Sequence, residues 1–385
     1  MPPSPIVRYV ATAVSILVTL HYIFSFSHEE YGRNMSLSRW VPGQSPRKQP
    51  IPSKYYPYTP VTEGTNTTTT TTIIRKANAA FVLLARNSDL PGVLESLKQL
   101  EDRFNKKFRY PFVFLNEEDF SEDFKKWTSE VTSTPCAYGK IPRDHWFQPD
   151  WIDEAKAAEY RLKLVEANIV YGDSVPYRNM CRFNSGFFFR HELLKNYDYY
   201  WRIEPGVKFF CDIDYDPFLL MQDEKKVYGF VVSLFEYTET ILTLWDATKE
   251  FIQANPELLP AGNAMGFLSD DGGETYNHCH FWSNFEIADL NFWRGEAYMK
   301  FFDFLDRKGG FYYERWGDAP VHSIAAALFA HRDQIHFFED IGYRHEPIQH
   351  CPQGKSHAKG KCWCSTSLNF DYEWLSCLSK FDALF

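Results

Sequence analysis

From residue 77 onward, short continuous apolar runs alternate with stretches whose apolar positions recur every three or four residues. The first pattern marks buried strands and the second amphipathic helices. NAAFVLLA (78–85) predicts a strand, and DLPGVLESLKQLEDRFNKK (89–107) a helix carrying Leu94, Leu97, Leu100 and Phe104 on one face. YPFVFLN (110–116) predicts a second strand, and SEDFKKWTSEV (121–131) a second helix with Ser121 as its N-cap. Strand, helix, strand, helix implies an α/β fold with a parallel sheet and right-handed crossovers, whose ligands bind beyond the carboxyl ends of the strands. The first such end is Arg86-Asn87-Ser88. No G-x-G-x-x-G and no P-loop follows it, so the phosphate fingerprints of dehydrogenases and kinases are missing.

The alternation continues to the C-terminus. YDYYWRIEPGVKFF (197–210) ends a strand at Glu204-Pro205-Gly206, and KVYGFVVSLF (226–235) predicts one buried strand before a helix over about 238–254. GEAYMKFFDFLDRKGG (295–310) predicts a helix stopped at Gly309-Gly310. GDAPVHSIAAALFAH (317–331) predicts another, with Asp318 as N-cap and Pro320 in the first turn. Between them and the preceding strands lies YNHCHFWSNFEI (276–287), which sets one carboxylate, Glu286, among Phe281, Trp282, Phe285 and Ile287. Strand alternation puts Phe285 and Ile287 on one face and Asn284 and Glu286 on the other, so the glutamate faces either solvent or a site. A buried partner of Arg178 or Arg182 is the structural alternative.

The N-terminal 74 residues follow neither pattern. Residues 1–8 read as a cytoplasmic tail, and Tyr9 to Phe26 as an uncharged apolar run with Arg8 before it and His28, Glu29 and Glu30 after it. That is a transmembrane signal-anchor of type II orientation, with the remainder facing the lumen; no A-x-A-like cleavage site follows the run. Residues 27–74, rich in Pro, Ser and Thr and containing TNTTTTTT, read as a disordered stem that leaves residues 75–385 as the lumenal domain. Both N-glycosylation sequons, at Asn34 and Asn66, fall in the stem.

Composition narrows the function. A net charge of −9 gives no basic footprint for a phosphate backbone, so nucleic acid is not an expected partner. Aromatic residues at 18% suit stacking on sugars or bases as well as an aromatic core. All eight cysteines lie beyond the stem, and in a lumenal domain an even count points to disulfides, whose pairing the sequence leaves open among 105 possibilities. A zinc site competes for Cys362 and Cys364. A nucleotide-dependent lumenal enzyme without a P-loop needs a divalent cation held by carboxylates near a strand end. Glu204 and Asp212-Ile213-Asp214 are the candidates, the second being a short D-x-D pattern of low specificity.

Five segments in order, YRNMCRF (177–183), WRIEPGVKFFCDIDYDPF (201–218), YNHCHFWSNFEI (276–287), FYYERWGDAPVHSIAAALF (311–329) and IGYRH (341–345), resemble the fungal Golgi α-1,2-mannosyltransferases of the KTR type, glycosyltransferase family 15. The resemblance runs from about Ala77 to Cys377. It implies a GT-A fold, a Rossmann-like mixed sheet flanked by helices, and a single-pass Golgi membrane protein. It further implies retaining transfer of mannose from GDP-mannose to terminal mannose of N- or O-linked glycoprotein acceptors, with Mn²⁺ as cofactor. In that family Glu286 is the proposed nucleophile, while Glu204 and His345 hold the manganese. Tyr177 and Asp318 are carried over as residues lining the donor and acceptor site, and Arg182 and Arg86 are further substrate-binding candidates. Asp212 is thereby demoted to a structural role near Cys211, and His278 and His280 to structural roles beside Cys279. A non-catalytic mannan-binding or mannosylphosphate-supporting member is the alternative. Such a chain is expected to lose Glu286, Glu204 or His345, and all three are present.

Overall fold

The computed structural model describes residues 51–55 and 75–385. The expected tail, anchor and most of the stem, with Asn34 and Asn66, lie outside the described residues. Among the described residues no helix is long and apolar enough to cross a membrane. Part of the expected stem belongs to the folded unit: Ser53–Tyr55 form a 3₁₀ turn, Tyr55 is buried, and its carbonyl accepts from the Asp216 N–H at 2.8 Å.

The chain begins with strand β1 (Ala79–Leu84), helix α1 (Leu90–Leu100), β2 (Phe112–Asn116), helix α2 (Glu122–Val131) and β3 (Cys136–Lys140). Helix α3 (Val175–Gly186) precedes β4 (Tyr199–Arg202) and β5 (Lys208–Phe209). The predicted run 226–235 breaks at Val231 and Val232 into β6 (Tyr228–Phe230) and β7 (Ser233–Phe235), which join different sheets. Helix α4 (Leu244–Ala254), β8 (Cys279–Phe281), β9 (Glu286–Asp289), helix α5 (Glu296–Lys308) and helix α6 (Asp318–Phe329) follow. The chain then forms β10 (Ile335–Phe337), β11 (Tyr343–His345) and β12 (Ile348–His350).

Seven strands form one sheet in the order β10-β6-β9-β4-β1-β2-β3. The first four in sequence, β1 to β4, are mutually parallel as expected, but β9 enters antiparallel between β4 and β6, which makes the sheet mixed. Chain order changes direction at β1, with β2 on one side and β4 on the other, the kind of switch that opens a crevice at the strand ends. Alternate residues face opposite ways: Val82, Val113, Tyr200 and Ala288 enter one core, and Phe81, Phe112, Trp201 and Ile287 the other. Residues of α3, α5 and α6 cover the first face, and those of α1 and α2 the second. Both faces are therefore buried, which is why the strands read as continuous apolar runs.

Local signals place the helix ends. The Ser121 hydroxyl accepts from the Phe124 N–H at 3.1 Å, and Gly309 closes α5 in the left-handed region at φ 74°. Gly206 has φ +80° after Pro205, a turn in which a side chain would be strained. Its N–H donates to the Gly92 carbonyl at 2.9 Å, which seats α1 against the turn that carries Glu204.

Three disulfides join Cys211 to Cys362, Cys279 to Cys377 and Cys351 to Cys364, leaving Cys136 and Cys181 as thiols. Cys362 and Cys364 thus belong to two different bridges, which removes the zinc reading. Asp212, next to Cys211, pairs with Arg103 at 2.7 Å, and Asp214 pairs with Lys107; the D-x-D pattern is structural. The bridge across 98 residues fastens the C-terminal segment to β8. Replacing Cys279 and Cys377 together by serine is expected to lower unfolding stability by about 3–5 kcal/mol, because a loop of that length gains so much freedom in the unfolded chain. Chemical denaturation of the oxidised protein measures it.

Candidate active site

Because β9 runs against its neighbours, its first residue lies at the edge where the parallel strands end. Glu286 is therefore directly opposite Arg202, the last residue of β4. Around them a narrow opening is lined by Leu84 and Leu115 from the ends of β1 and β2, by Phe183 and Asn184 of α3, and by Tyr200, Arg202 and Glu286. This is the crevice that an α/β sheet reserves for its ligand.

The strand alternation holds, and Glu286 is not a solvated strand residue. Phe285 packs into the second core against Trp201 and Tyr343, while Glu286 points to the opposite face and is 1% exposed. Neither Arg178 nor Arg182 is its partner. Its Oε1 accepts from the Tyr200 hydroxyl at 2.7 Å, and its Oε2 lies 3.1 Å from His322 Nδ1. Burial, with the Glu286 charge added to it, pushes the Tyr200 hydroxyl well above the usual tyrosine pKa, so that it remains a donor.

Arg202 joins the other carboxylates. Its Nε donates to Glu204 Oε1 at 2.7 Å and its Nη1 to Asp318 Oδ2 at 2.5 Å. Burial alone would lower its pKa; Glu204, Asp318 and Glu286 reverse the sign and keep the guanidinium charged. Asp318 is not the N-cap of α6. That position is Gly317, which gives no side-chain cap, and Asp318 begins the helix with its carboxylate turned to Arg202 and to the Ser283 hydroxyl at 2.8 Å. Burial opposes ionisation of Asp318, but Arg202 outweighs it and holds the pKa below the ordinary value.

His345 ends β11, 5.2 Å from the Trp282 ring in an edge-on contact. β11 pairs with β5 through Tyr343 opposite Phe209 and Arg344 opposite Lys208, so continuing the register sets His345 beside Val207, just beyond the Glu204 turn. Its Nδ1 is buried without a hydrogen-bond partner. Arg202 holds the Glu204 carboxylate through Oε1, which lies 2.7 Å from its Nε and 2.6 Å from its Nη2. A buried imidazole nitrogen without a partner fits a divalent cation of the N/O-binding kind. Among the described residues the one cluster of three possible ligands is Cys351, His357 and Cys364, whose two sulfurs are joined to each other and cannot ligate.

Other expected site residues divide. Tyr177, in the first turn of α3, stacks on Tyr171 at 4.6 Å and faces the Arg315 guanidinium at 5.1 Å. Arg86 is exposed at the end of β1 and pairs with Glu117 at 3.2 Å, on the edge that carries the crevice. Arg182, expected to bind substrate, instead donates twice to Asp306 of α5, at 2.7 and 2.9 Å, and ties two helices together. His280 is buried in β8, and burial lowers its pKa, consistent with the structural role expected of it. Sequence reasoning missed Arg202, Tyr200, His322 and Ser283. Arg202 was within reach, since it stands in the segment that supplied Glu204 and is a lone cation at a strand end.

Comparison with known proteins agrees with this geometry. The chain is similar to core-mannan synthase A of Aspergillus fumigatus in its Mn/GDP form, at 47% identity and TM-score 0.72 over 76% of this chain and 79% of that one. It is also similar to the Saccharomyces cerevisiae mannosyltransferase Ktr4p in complex with GDP, at 41% identity and TM-score 0.76 over 80% and 81%. Fold and crevice together define a GT-A-like α/β protein. The glycolipid 2-alpha-mannosyltransferase family model matches residues 47–384. Identity reaches 55% with glycolipid 2-alpha-mannosyltransferase 2 of Candida albicans, over 80% of this chain and 67% of that one, and 55% with alpha-1,2 mannosyltransferase KTR1 of Saccharomyces cerevisiae, over 80% and 78%. The chain belongs to the glycolipid 2-alpha-mannosyltransferase family.

Two outcomes follow from the buried charges. Arg202→Met strands a buried aspartate and is expected to cost about 3–5 kcal/mol; adding Asp318→Asn recovers part of the loss, which a double-mutant cycle of denaturant unfolding reads. The depressed pKa of Asp318 contributes stability above the unfolded value, about pH 4, and that contribution disappears as pH falls through the lower folded value. The stability difference between wild type and Asp318→Asn should therefore shrink as pH falls below about 4.

Proposed function

We propose that this chain transfers mannose from GDP-mannose to the hydroxyl of a terminal mannose on a glycan, forming an α-1,2 linkage with retention of configuration. The observation that carries this reading is the buried Glu286 at the floor of the strand-end crevice, opposite Arg202 and fixed by Tyr200 and His322. Family membership and the nucleotide named for the related structures supply the donor.

In the reaction the bond between the sugar C1 and the diphosphate oxygen breaks, and its electron pair leaves with GDP. The acceptor oxygen bonds C1 and passes its proton to an oxygen of the departing diphosphate. Glu286 supplies negative charge beside the cationic sugar that forms as the bond breaks, in a crevice where burial strengthens that interaction. Arg202 holds Glu204 and Asp318 in place, and the apolar lining from Leu84, Leu115 and Phe183 excludes water from C1. Glu204 and His345 would hold a manganese ion, which when bound supplies positive charge for the leaving diphosphate.

The three disulfides suit an oxidising lumen. With the apolar run 9–26, they favour a type II Golgi membrane protein whose acceptor is a mannosylated glycoprotein. The test is mannose transfer to α-methyl mannoside by residues 51–385, with Mn²⁺ or EDTA. Glu286→Gln keeps the shape and loses the charge, and is expected to lower kcat by roughly 10²–10⁴-fold. Equal activity in the two proteins would return Glu286 to a structural role.

A further inference from the structure

His322 is fully buried on α6, a helix whose neighbouring positions are Val321, Ile324, Ala325, Ala326, Ala327 and Leu328. Nothing in that apolar surrounding calls for an imidazole, and burying one is costly unless both nitrogens are bonded. Both are. Nε2 is 3.1 Å from the backbone carbonyl of Asn184, which can only accept, so Nε2 carries a hydrogen. Nδ1 then faces Glu286 Oε2 at 3.1 Å with one proton between the two groups.

The second carboxylate oxygen is held in a matching way. Tyr200 donates to Oε1, and Trp293 Nε1 donates to the Tyr200 hydroxyl at 3.1 Å. The same indole stacks on His322, with ring centres 4.3 Å apart and planes 21° from parallel. Glu286, His322, Trp293 and Tyr200 form a closed ring of contacts in which one tryptophan fixes both groups that grip the carboxylate. An ionised carboxylate offers about four acceptor directions, so two donors fix its plane; the buried Tyr228 hydroxyl also faces it, its pKa raised by burial and by the Glu286 charge.

We infer that His322, backed by Trp293, is a positioning residue that sets the plane of the Glu286 carboxylate. The inference rests on the mannosyl-transfer reading above and adds to it the group that keeps the carboxylate ready. It acts on the reacting geometry rather than on donor binding, because His322 reaches the crevice only through Glu286 and Asn184.

The experiment measures kcat and KM for GDP-mannose with α-methyl mannoside in wild type, Glu286→Gln, His322→Leu and His322→Asn, with thermal unfolding as a folding control. A misplacement near 1 Å costs about 10²-fold, so His322→Leu should lose about that much in kcat while KM stays within about threefold. His322→Asn keeps an N–H near the Nδ1 position and should recover roughly tenfold over the leucine variant. Equal losses in the two variants, a loss carried by KM, or an unchanged kcat in His322→Leu would overturn the inference. If the leucine variant does not fold, Trp293→Phe decides. It keeps the stacked ring and removes the donor to Tyr200, so a lower kcat at constant KM supports the ring and an unchanged kcat overturns it. Wild-type transfer that survives in Glu286→Gln would remove the role of Glu286 and this inference with it, whereas no transfer by the wild type would sink the functional reading itself. Transfer lost in Glu286→Gln but kept in His322→Leu would sink only the role of His322.

Discussion

One buried guanidinium organises the functional end of this molecule. Arg202 leaves water at the close of β4, and an isolated charge there would be too costly to keep. Three carboxylates make it tolerable: Glu204 two residues on, Asp318 at the start of α6, and Glu286 across the ladder on β9. Each comes from a different part of the chain, so burying one cation forces the Glu204 turn, the β9 entrance and the first turn of α6 to converge. The sheet also needs β9 to run antiparallel, since a parallel strand there would carry its first residue to the opposite edge.

The same convergence separates the carboxylates chemically. Asp318 is ionised against Arg202 and a serine hydroxyl, and its work is to hold the arginine in place. Glu204 shares the arginine through Oε1, and His345 on β11 keeps a buried Nδ1 without a hydrogen-bond partner. Glu286 is gripped by Tyr200 and His322 and turned to the crevice. Acidic side chains within one small region thus face different surroundings: Asp318 meets an arginine and a serine hydroxyl, Glu204 an arginine, and Glu286 a tyrosine and a histidine.

The disulfides and the docked turn at Ser53–Tyr55 act at a distance from this centre. The Cys211–Cys362 and Cys351–Cys364 bridges brace the small sheet of β5, β11 and β12, which carries His345. Cys279–Cys377 fixes β8, immediately before the segment that delivers Glu286.

The sequence by itself determined much of this protein. Periodicity and capping signals are enough for β1, α1, β2 and α2, for Ser121 as a cap and for Gly309 as a stop, because each rests on interactions within a few residues. Alternation alone separates Phe285 and Ile287 from Glu286, and the five motifs carry the family. Tertiary structure alone decided what those side chains meet. Asp318 looks like a helix cap because capping is local, whereas its partner Arg202 lies 116 residues away. Arg182 stands in a functional motif, yet Asp306 of α5 takes two of its three nitrogens. His322, inside an apolar helix, gives no signal at all, since its meaning depends on a carboxylate 36 residues earlier that only the folded sheet brings within 3.1 Å.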